Sequence, residues 1–187
     1  VNTQTYKQTG DHYNVSSLTK AHYWFFKDTV KEVSLGSIKG STVRPRFYSA
    51  TDTEHHTPYT LHFGFPTGKV SMRVDNKVSV VANDSMMQDH LSNALALRVA
   101  TGDIVNIKVA IKNKKNKLIV KVRHYKKVGT PTIETVMGKI KTIEWVAKQK
   151  QDTLKVWVAQ AHDHVVVKSQ FFQKGKLKIT AMVTSIK

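Results

Sequence analysis

The sequence predicts an α+β fold that is mostly β, with antiparallel sheets built from hairpins and one amphipathic helix. Short runs that alternate apolar and polar residues recur from residue 42 onward, and Gly, Pro and Asp-Asn turn signals separate them. One stretch, at about residues 84–100, has the apolar spacing of a helix instead. The 187 residues, of which 40% are hydrophobic, predict a single β-rich domain over residues 1–187.

The N-terminal third fits two secondary structures. In the run "SSLTKAHYWFFKDTVKEVSLG", a helical stripe is approximated by Leu18, Ala21, Phe25 or Phe26, Val30 and Val33. Aromatic and β-branched residues in the same run favour strands. Helix and strand both remain open here, and extended structure is favoured if the domain is an assembly of sheets.

Beyond this run the elements are easier to assign. The runs "TVRPRFYSA", "YTLHFGF", "KVSMRV" and "KVSVVA" predict strands. In "NDSMMQDHLSNALALRVATG" Asn83 or Asp84 can cap the helix and Gly102 can end it. The remainder is predicted to be β, with hairpins around "KNKKN" and "QKG".

Positive charge is concentrated in the second half of the chain. The formal net charge is +17, and residues 103–187 contain 19 lysines and arginines but only five acidic residues. That half therefore carries +14, whereas residues 1–102 carry +3. Such an asymmetry is typical of proteins that bind nucleic acid, anionic lipid or acidic wall polymers.

Strand alternation converts these cations into a predicted surface. Side chains alternate faces along a strand, so Val109, Val120 and Val122 are predicted to face the core, as are Leu177 and Ile179 on the last strand. The cations then line the opposite side, where carboxylates are nearly absent. The predicted nucleic-acid-binding residues are Lys108, Lys112, Lys117, Lys121, Arg123, Tyr125, Lys127, Lys155, Trp157, Lys168, Lys176 and Lys178.

Two aromatic residues lie among these cations. Rings such as those of Tyr125 and Trp157 can stack on bases while neighbouring lysines neutralise phosphates, which favours a single-stranded partner or RNA. The alternative for Trp157 is a half-buried place in the core. Lysines on a wet sheet face can also serve solubility alone, because they discourage pairing between sheet edges.

No catalytic or metal site is predicted. The chain has no cysteine, no glycine-rich phosphate loop and no nucleophile elbow. The pair His162 and His164 resembles the metal-binding half of rolling-circle nicking enzymes, but Asp163 replaces their bulky apolar residue and no tyrosine follows Tyr125. His55 and its neighbour His56 lie in a polar run where a metal could bind, although a solvated loop is expected.

The sequence therefore predicts a non-enzymatic polyanion-binding protein without cofactor or metal. The preferred version is a self-assembling viral coat or nucleocapsid-type protein, located in the virion or host cytoplasm, that packages nucleic acid and forms a dimer or larger assembly. One alternative is a secreted Gram-positive cell-surface protein attached to anionic wall polymers, and another is a single-strand-binding protein without a shell. Hydropathy predicts no membrane span.

Overall fold

The computed structural model describes residues 2–23, 26–52, 57–161 and 165–183. These ranges contain fifteen strands and one helix, α1 (Ser92–Arg98). The strands are β1 (Asn2–Thr9), β2 (His12–Tyr23), β3 (Phe26–Lys39), β4 (Thr42–Asp52), β5 (Tyr59–Gly64), β6 (Lys69–Val74), β7 (Lys77–Ala82), β8 (Met87–Gln88), β9 (Ile104–Lys112), β10 (Leu118–Gly129), β11 (Thr132–Thr135), β12 (Gly138–Gln149), β13 (Asp152–Ala159), β14 (Val166–Gln173) and β15 (Lys176–Met182).

The strands form two sheets, and the predicted fold class is confirmed. The first sheet has seven strands in sequence order, β1 to β7, each antiparallel to the next. The second sheet has eight strands: seven lie in the order β15-β14-β13-β12-β10-β9-β8, and β11 pairs with β12. The chain is thus mostly antiparallel β, with one short helix in the described ranges.

The chain divides into two compact units. Unit 1 comprises Val1–Ala96 and Lys108–Lys121, and unit 2 comprises Leu97–Ile107 and Val122–Lys187. Strands β9 and β10 each have one part in either unit. The expectation of a single domain stays a prediction.

The N-terminal third is extended, which decides between its two predicted structures. β1, β2 and β3 form successive antiparallel hairpins, and β2 pairs with β3 from His12 opposite Ser37 to Tyr23 opposite Phe26. Gly10 begins the first hairpin turn with a φ of 57°, a conformation that glycine adopts without steric cost. Long antiparallel pairing and β-branched residues therefore outweigh the partial helical stripe.

The helix is shorter than predicted. It begins at Ser92 rather than near residue 84, so the predicted caps Asn83 and Asp84 are wrong. The Asp84 carboxylate instead accepts a hydrogen bond from the Met86 amide at 2.9 Å, and β8 follows. Asp89 is the actual cap, because its Oδ1 accepts the amide hydrogens of Leu91 and Ser92 at 2.9 and 2.8 Å.

The core of unit 1 lies on one face of the seven-stranded sheet. Alternate residues of β5 and β6 are fully buried there, including Leu61 and Val70, each 0% exposed. Polar side chains share this face, which distinguishes it from an ordinary apolar core. The buried hydrophobic residues of strands β2 to β6 are Tyr13, Val15, Ile38, Val43, Tyr48, Leu61, Phe63, Val70, Met72 and Val74.

The core of unit 2 is built from two faces of its sheet. On the first face, Tyr125 lies opposite Ala147, and Trp145 lies opposite Val156. Tyr125 and Trp145 are 0% and 1% exposed, so this face is deeply covered. A smaller apolar cluster on the second face contains Ile140, Trp157, Ala159 and Val167.

Candidate polyanion-binding site

The predicted surface residues of unit 1 do not all have free cationic groups. Lys108 pairs with the Asp84 carboxylate. Burial opposes ionisation of the Asp84 carboxyl, but the Lys108 ammonium stabilises the carboxylate and helps to hold its pKa below the usual range. The Lys112 ammonium lies 5.5 Å from the centre of the Tyr59 ring and donates to Asn116 at 3.0 Å. Lys117 and Lys121 are exposed.

The prediction that Tyr125 lies on the exposed face of β10 is wrong. The ring is fully buried, and Arg123 donates to its hydroxyl at 3.3 Å. Lys127, on the same side, pairs with Asp103 at 3.8 Å. Val122, predicted to be core, is 37% exposed instead. Pairing with β12 places the tyrosine side of β10 in the core, where a large ring buries more apolar area than a valine could.

Trp157 is also core, as the alternative prediction held. Its side chain is 6% exposed, and the Lys168 ammonium lies 4.9 Å from the ring centre. Lys168 is directly opposite Trp157, so both project from one face and the aliphatic part of the lysine can cover the ring. Because Tyr125 is buried as well, the predicted pair of base-stacking rings is not available on the surface.

The predicted inward side chains of β15 are exposed. Leu177 and Ile179 are 51% and 57% exposed, and the flanking Lys176 and Lys178 are exposed as well. Among the strands of the described ranges, β15 lies at the edge of its sheet and pairs only with β14. No layer in the described ranges buries its apolar residues, which alternation alone had assigned to a core. Val167 on the neighbouring strand β14, by contrast, is buried.

Four lysines do share one face of unit 2, and we call them the basic face: Lys126, Lys148, Lys155 and Lys168. Lys126 lies opposite Val146, and Val146 lies opposite Lys155, so these residues project from the same side. Lys148 follows by alternation along β12, and Lys168 by its pairing with Trp157. Lys126 and Lys148, both exposed, were not among the predicted residues.

Further lysines extend this face at one end of the sheet. Lys150 occupies the turn between β12 and β13, and Lys174 occupies the turn between β14 and β15. The two turns are neighbours, because the Lys174 amide donates to the Gln151 carbonyl at 2.8 Å. Lys174 and Gly175 have φ of 51° and 73°, as a tight hairpin turn requires. We call Lys150, Lys174 and Lys176 the tip lysines.

Little negative charge balances these groups. Glu144 shares the basic face with Trp157 opposite it, and its carboxylate lies 3.7 Å from Lys155. Asp152 follows the β12–β13 turn. Within the described part of the chain, the basic face and the tip lysines have these two acidic neighbours on the paired strands. The result is a surface with a strong excess of positive charge, which attracts anionic polymers.

Unit 1 contains a buried acidic network that the sequence analysis missed. Asp89 is 0% exposed and accepts a hydrogen bond from Ser34 at 2.7 Å, and Ser34 lies 3.1 Å from the Tyr13 hydroxyl. Burial raises the pKa of Asp89 to about 6, although hydrogen bonds from Ser92 and Ser34 oppose the rise. Burial also raises the pKa of Tyr13 above its usual range. The available sequence signal was Asp89 itself, since aspartate is a favoured residue at the N-cap of a helix.

A second buried acid lies in the same unit. Glu32 accepts a hydrogen bond from the Tyr48 hydroxyl at 2.6 Å, and His90 Nδ1 lies 2.7 Å from the same oxygen. Burial opposes ionisation, but the interactions with His90 and Tyr48 outweigh it and hold the pKa of Glu32 below its usual range. For Tyr48, burial and the neighbouring Glu32 charge raise the pKa. Glu32 is therefore a buried carboxylate.

Neither network has the arrangement of a metal site. In the described ranges, no three His, Asp or Glu side chains group closely enough to hold a metal ion. The two histidine pairs of the sequence analysis, residues 55–56 and 162–164, lie outside the described residues. The expected absence of a metal and of catalysis stays a prediction.

The fold and the basic face together define a mostly β protein with one antiparallel sheet, a second sheet that is antiparallel except for the β8–β9 pair, and a lysine-rich surface. The chain belongs to the family described as "Protein of unknown function (DUF3108)", whose model matches residues 1–182. No curated protein and no solved structure matches the chain. The described helix is not long and apolar enough to cross a membrane.

Proposed function

We propose that this protein is a non-enzymatic polyanion-binding protein, and that nucleic acid is bound by the basic face of unit 2. One observation carries the proposal: Lys126, Lys148, Lys155 and Lys168 project from one side of four neighbouring strands, with Glu144 as the acidic residue among them. Neighbouring strands lie about 4.8 Å apart, so the ammonium groups are close enough to contact successive phosphates of one polymer.

The mode of binding follows from the residue types on this face. The cations are lysines, which attract phosphate as point charges and do not form the two-pronged contacts by which arginine reads guanine. The Trp157 ring lies beneath Lys168, and the Phe172 ring centre lies 5.8 Å from the Lys155 ammonium. Rings covered by lysines give bases little to stack on. Binding is therefore independent of base sequence and strongly weakened by salt.

The coat or nucleocapsid version of the proposal requires self-association as well. In the part of the chain that the structure describes, β15 presents an unpaired strand edge with Leu177 and Ile179 exposed beside lysines, and such an edge can pair with another chain. Light scattering with and without RNA tests this version: particles or dimers support it, and monomers across the whole concentration range contradict it. The polyanion-binding proposal does not depend on this result.

The principal test compares two triple variants of equal charge. The first, Lys126→Gln, Lys148→Gln and Lys168→Gln, removes three charges from the basic face. The second, Lys7→Gln, Lys69→Gln and Lys77→Gln, removes three exposed charges from unit 1. Affinity for labelled RNA and DNA oligomers of scrambled sequence is measured at several salt concentrations.

We expect the basic-face variant to weaken binding and to reduce the slope of log affinity against log salt by about 2–3, since each phosphate contact contributes roughly 0.7–0.9. The unit 1 variant should change the slope much less. Equal losses in both variants would mean that net charge alone attracts the polymer. Inorganic polyphosphate should compete with the oligomers, because phosphate charge rather than the bases is bound.

A further inference from the structure

A pocket of about 440 Å³ lies on the seven-stranded sheet of unit 1, away from its buried core. It forms where the pairing of β3 and β4 shifts between Leu35 and Gly36. The Tyr13 ring packs against Gly36 from the buried side: a Cβ at Gly36 would lie 2.6 Å from a carbon of that ring and 2.3 Å from the Arg44 carbonyl oxygen. Only glycine fits there, so the backbone beneath the pocket is fixed.

The walls of the pocket combine apolar and cationic groups. Leu35 lies opposite Phe47, and Phe47 lies opposite His62, so these side chains project together. The Phe47 and His62 rings meet edge to face, with centres 5.1 Å apart. Arg46 and His12 complete the polar part of the lining. Among the residues that the structure describes, no carboxylate lines the pocket.

The Arg46 guanidinium is available to a ligand. Arg46 is exposed, and among the described residues no carboxylate pairs with it. A guanidinium fits the two oxygens of a carboxylate, and a neighbouring imidazole can donate a further hydrogen bond. The pocket volume lies within the range of small-molecule sites, about 300–1,000 Å³.

We propose that this pocket binds a small carboxylate that carries an apolar ring or chain. The apolar part contacts Leu35 and Phe47, and the carboxylate pairs with Arg46 beside His12 and His62. This site is in unit 1 and is independent of the polyanion-binding face. A neutral compound of the same shape lacks the charge that Arg46 recognises, and a simple anion such as acetate lacks the apolar part.

The test uses isothermal titration calorimetry of the full chain with 2-naphthoate, and with 2-naphthalenemethanol as the neutral analogue. Naphthoate should bind with a stoichiometry of one, and Arg46→Gln should weaken it about tenfold or more, as expected for loss of a charged hydrogen bond. Phe47→Ala should also weaken binding. Arg73→Gln, which removes an exposed arginine from the same sheet, is the matched control and should leave the affinity unchanged.

Three results would overturn the proposal. The first is no naphthoate binding by the wild-type chain, and the second is equal affinity for the neutral analogue. The third is an equal loss in the Arg46 and Arg73 variants, which would indicate general attraction of anions to a basic protein. The Lys126, Lys148 and Lys168 triple variant provides a further control, because it should bind naphthoate like the wild type. Urea unfolding of each variant confirms that the sheet is intact.

Discussion

Unit 1 and unit 2 bury different chemistry beneath their sheets. In unit 1, Asp89 and Glu32 lie in the core with their hydrogen-bond partners Ser34 and Tyr48. In unit 2, the deeply buried side chains of the sheet are mainly aromatic and aliphatic, as at Tyr125 and Trp145. Unit 2 contains 14 lysines and arginines and five acidic residues, and the charged side chains in its described part are exposed or half-buried.

Because of this difference, we expect the stability of unit 1 and the stability of unit 2 to depend on different conditions. A buried carboxylate makes stability depend on pH, because its protonation differs between the folded and unfolded chain. An apolar core makes stability depend on packing and leaves the surface charges free to serve binding. Unit 1 should therefore be sensitive to pH, and unit 2 to changes of side-chain volume, with its lysines nearly irrelevant to stability.

The largest expected effect is at Tyr125. Tyr125→Ala removes a fully buried ring and should lower the free energy of unfolding by about 3–5 kcal/mol, measured by urea denaturation. Its neighbour Lys126 is the matched control on the opposite face, and Lys126→Gln should change stability by no more than about 0.5 kcal/mol. If Tyr125→Ala were tolerated while RNA affinity fell, the ring would be a binding residue rather than part of the core.

The second prediction concerns the pH dependence of unit 1. Burial raises the pKa of Asp89 to about 6, against about 3.9 in an unfolded chain. A raised pKa means that the stabilising contribution of this carboxyl is fully present below about pH 4 and is lost as pH rises through about 6. Asp89→Asn keeps a side-chain oxygen for the helix cap but carries no charge, so it should lose no stability over this interval.

The measurement is the free energy of unfolding of Asp89→Asn and of the wild type from pH 4 to pH 7. We expect the variant to gain up to about 3 kcal/mol relative to the wild type across this interval. Asp75→Asn is the control, because residue 75 is exposed in a turn with a φ of 51° that asparagine tolerates. A constant difference between Asp89→Asn and wild type at all pH values would contradict the argument.

The third prediction tests the Glu32 site. Tyr48→Phe removes the hydroxyl that donates to the buried carboxylate at 2.6 Å, and should cost about 1–3 kcal/mol. Tyr6→Phe, at a half-buried position on β1 where the hydroxyl donates to the exposed side chain of Gln8, should cost much less. A double-mutant cycle with Glu32→Gln measures the coupling directly, and a coupling of zero would show that the hydroxyl does not stabilise the carboxylate.

The alternation of apolar and polar residues was sufficient to predict the fold class and most strands, because this pattern depends only on residues that are close in sequence. It could not place the start of α1, because Asp84 and Asp89 both fit the cap position. The choice depends on Ser34, which lies 55 residues earlier and donates to Asp89. The partners of Glu32 and the shift beside Gly36 depend on contacts of the same long range.

The sequence predicted two of the four lysines of the basic face, Lys155 and Lys168, and did not predict the other two. On β10 both faces contain apolar side chains, Val122 on one and Tyr125 on the other, so alternation did not determine which face is buried. The pairing of Tyr125 with Ala147 determines which face is buried, and the sequence alone does not show this register. Lys126 and Lys148 were missed for the same reason.

The smallest expected effect tests this reassigned register. Val122 is 37% exposed, so Val122→Ala should lower the free energy of unfolding by no more than about 1 kcal/mol, from partial loss of burial and of β-propensity. Val109, on β9, is 0% exposed, and the same change there should cost about 1.5–3 kcal/mol through lost burial and cavity formation. Urea denaturation of both variants gives the comparison. Equal losses would mean that Val122 is in the core and Tyr125 is outside it. The side of β10 that contains Tyr125 would then be the exposed surface with the binding residues, as the sequence predicted.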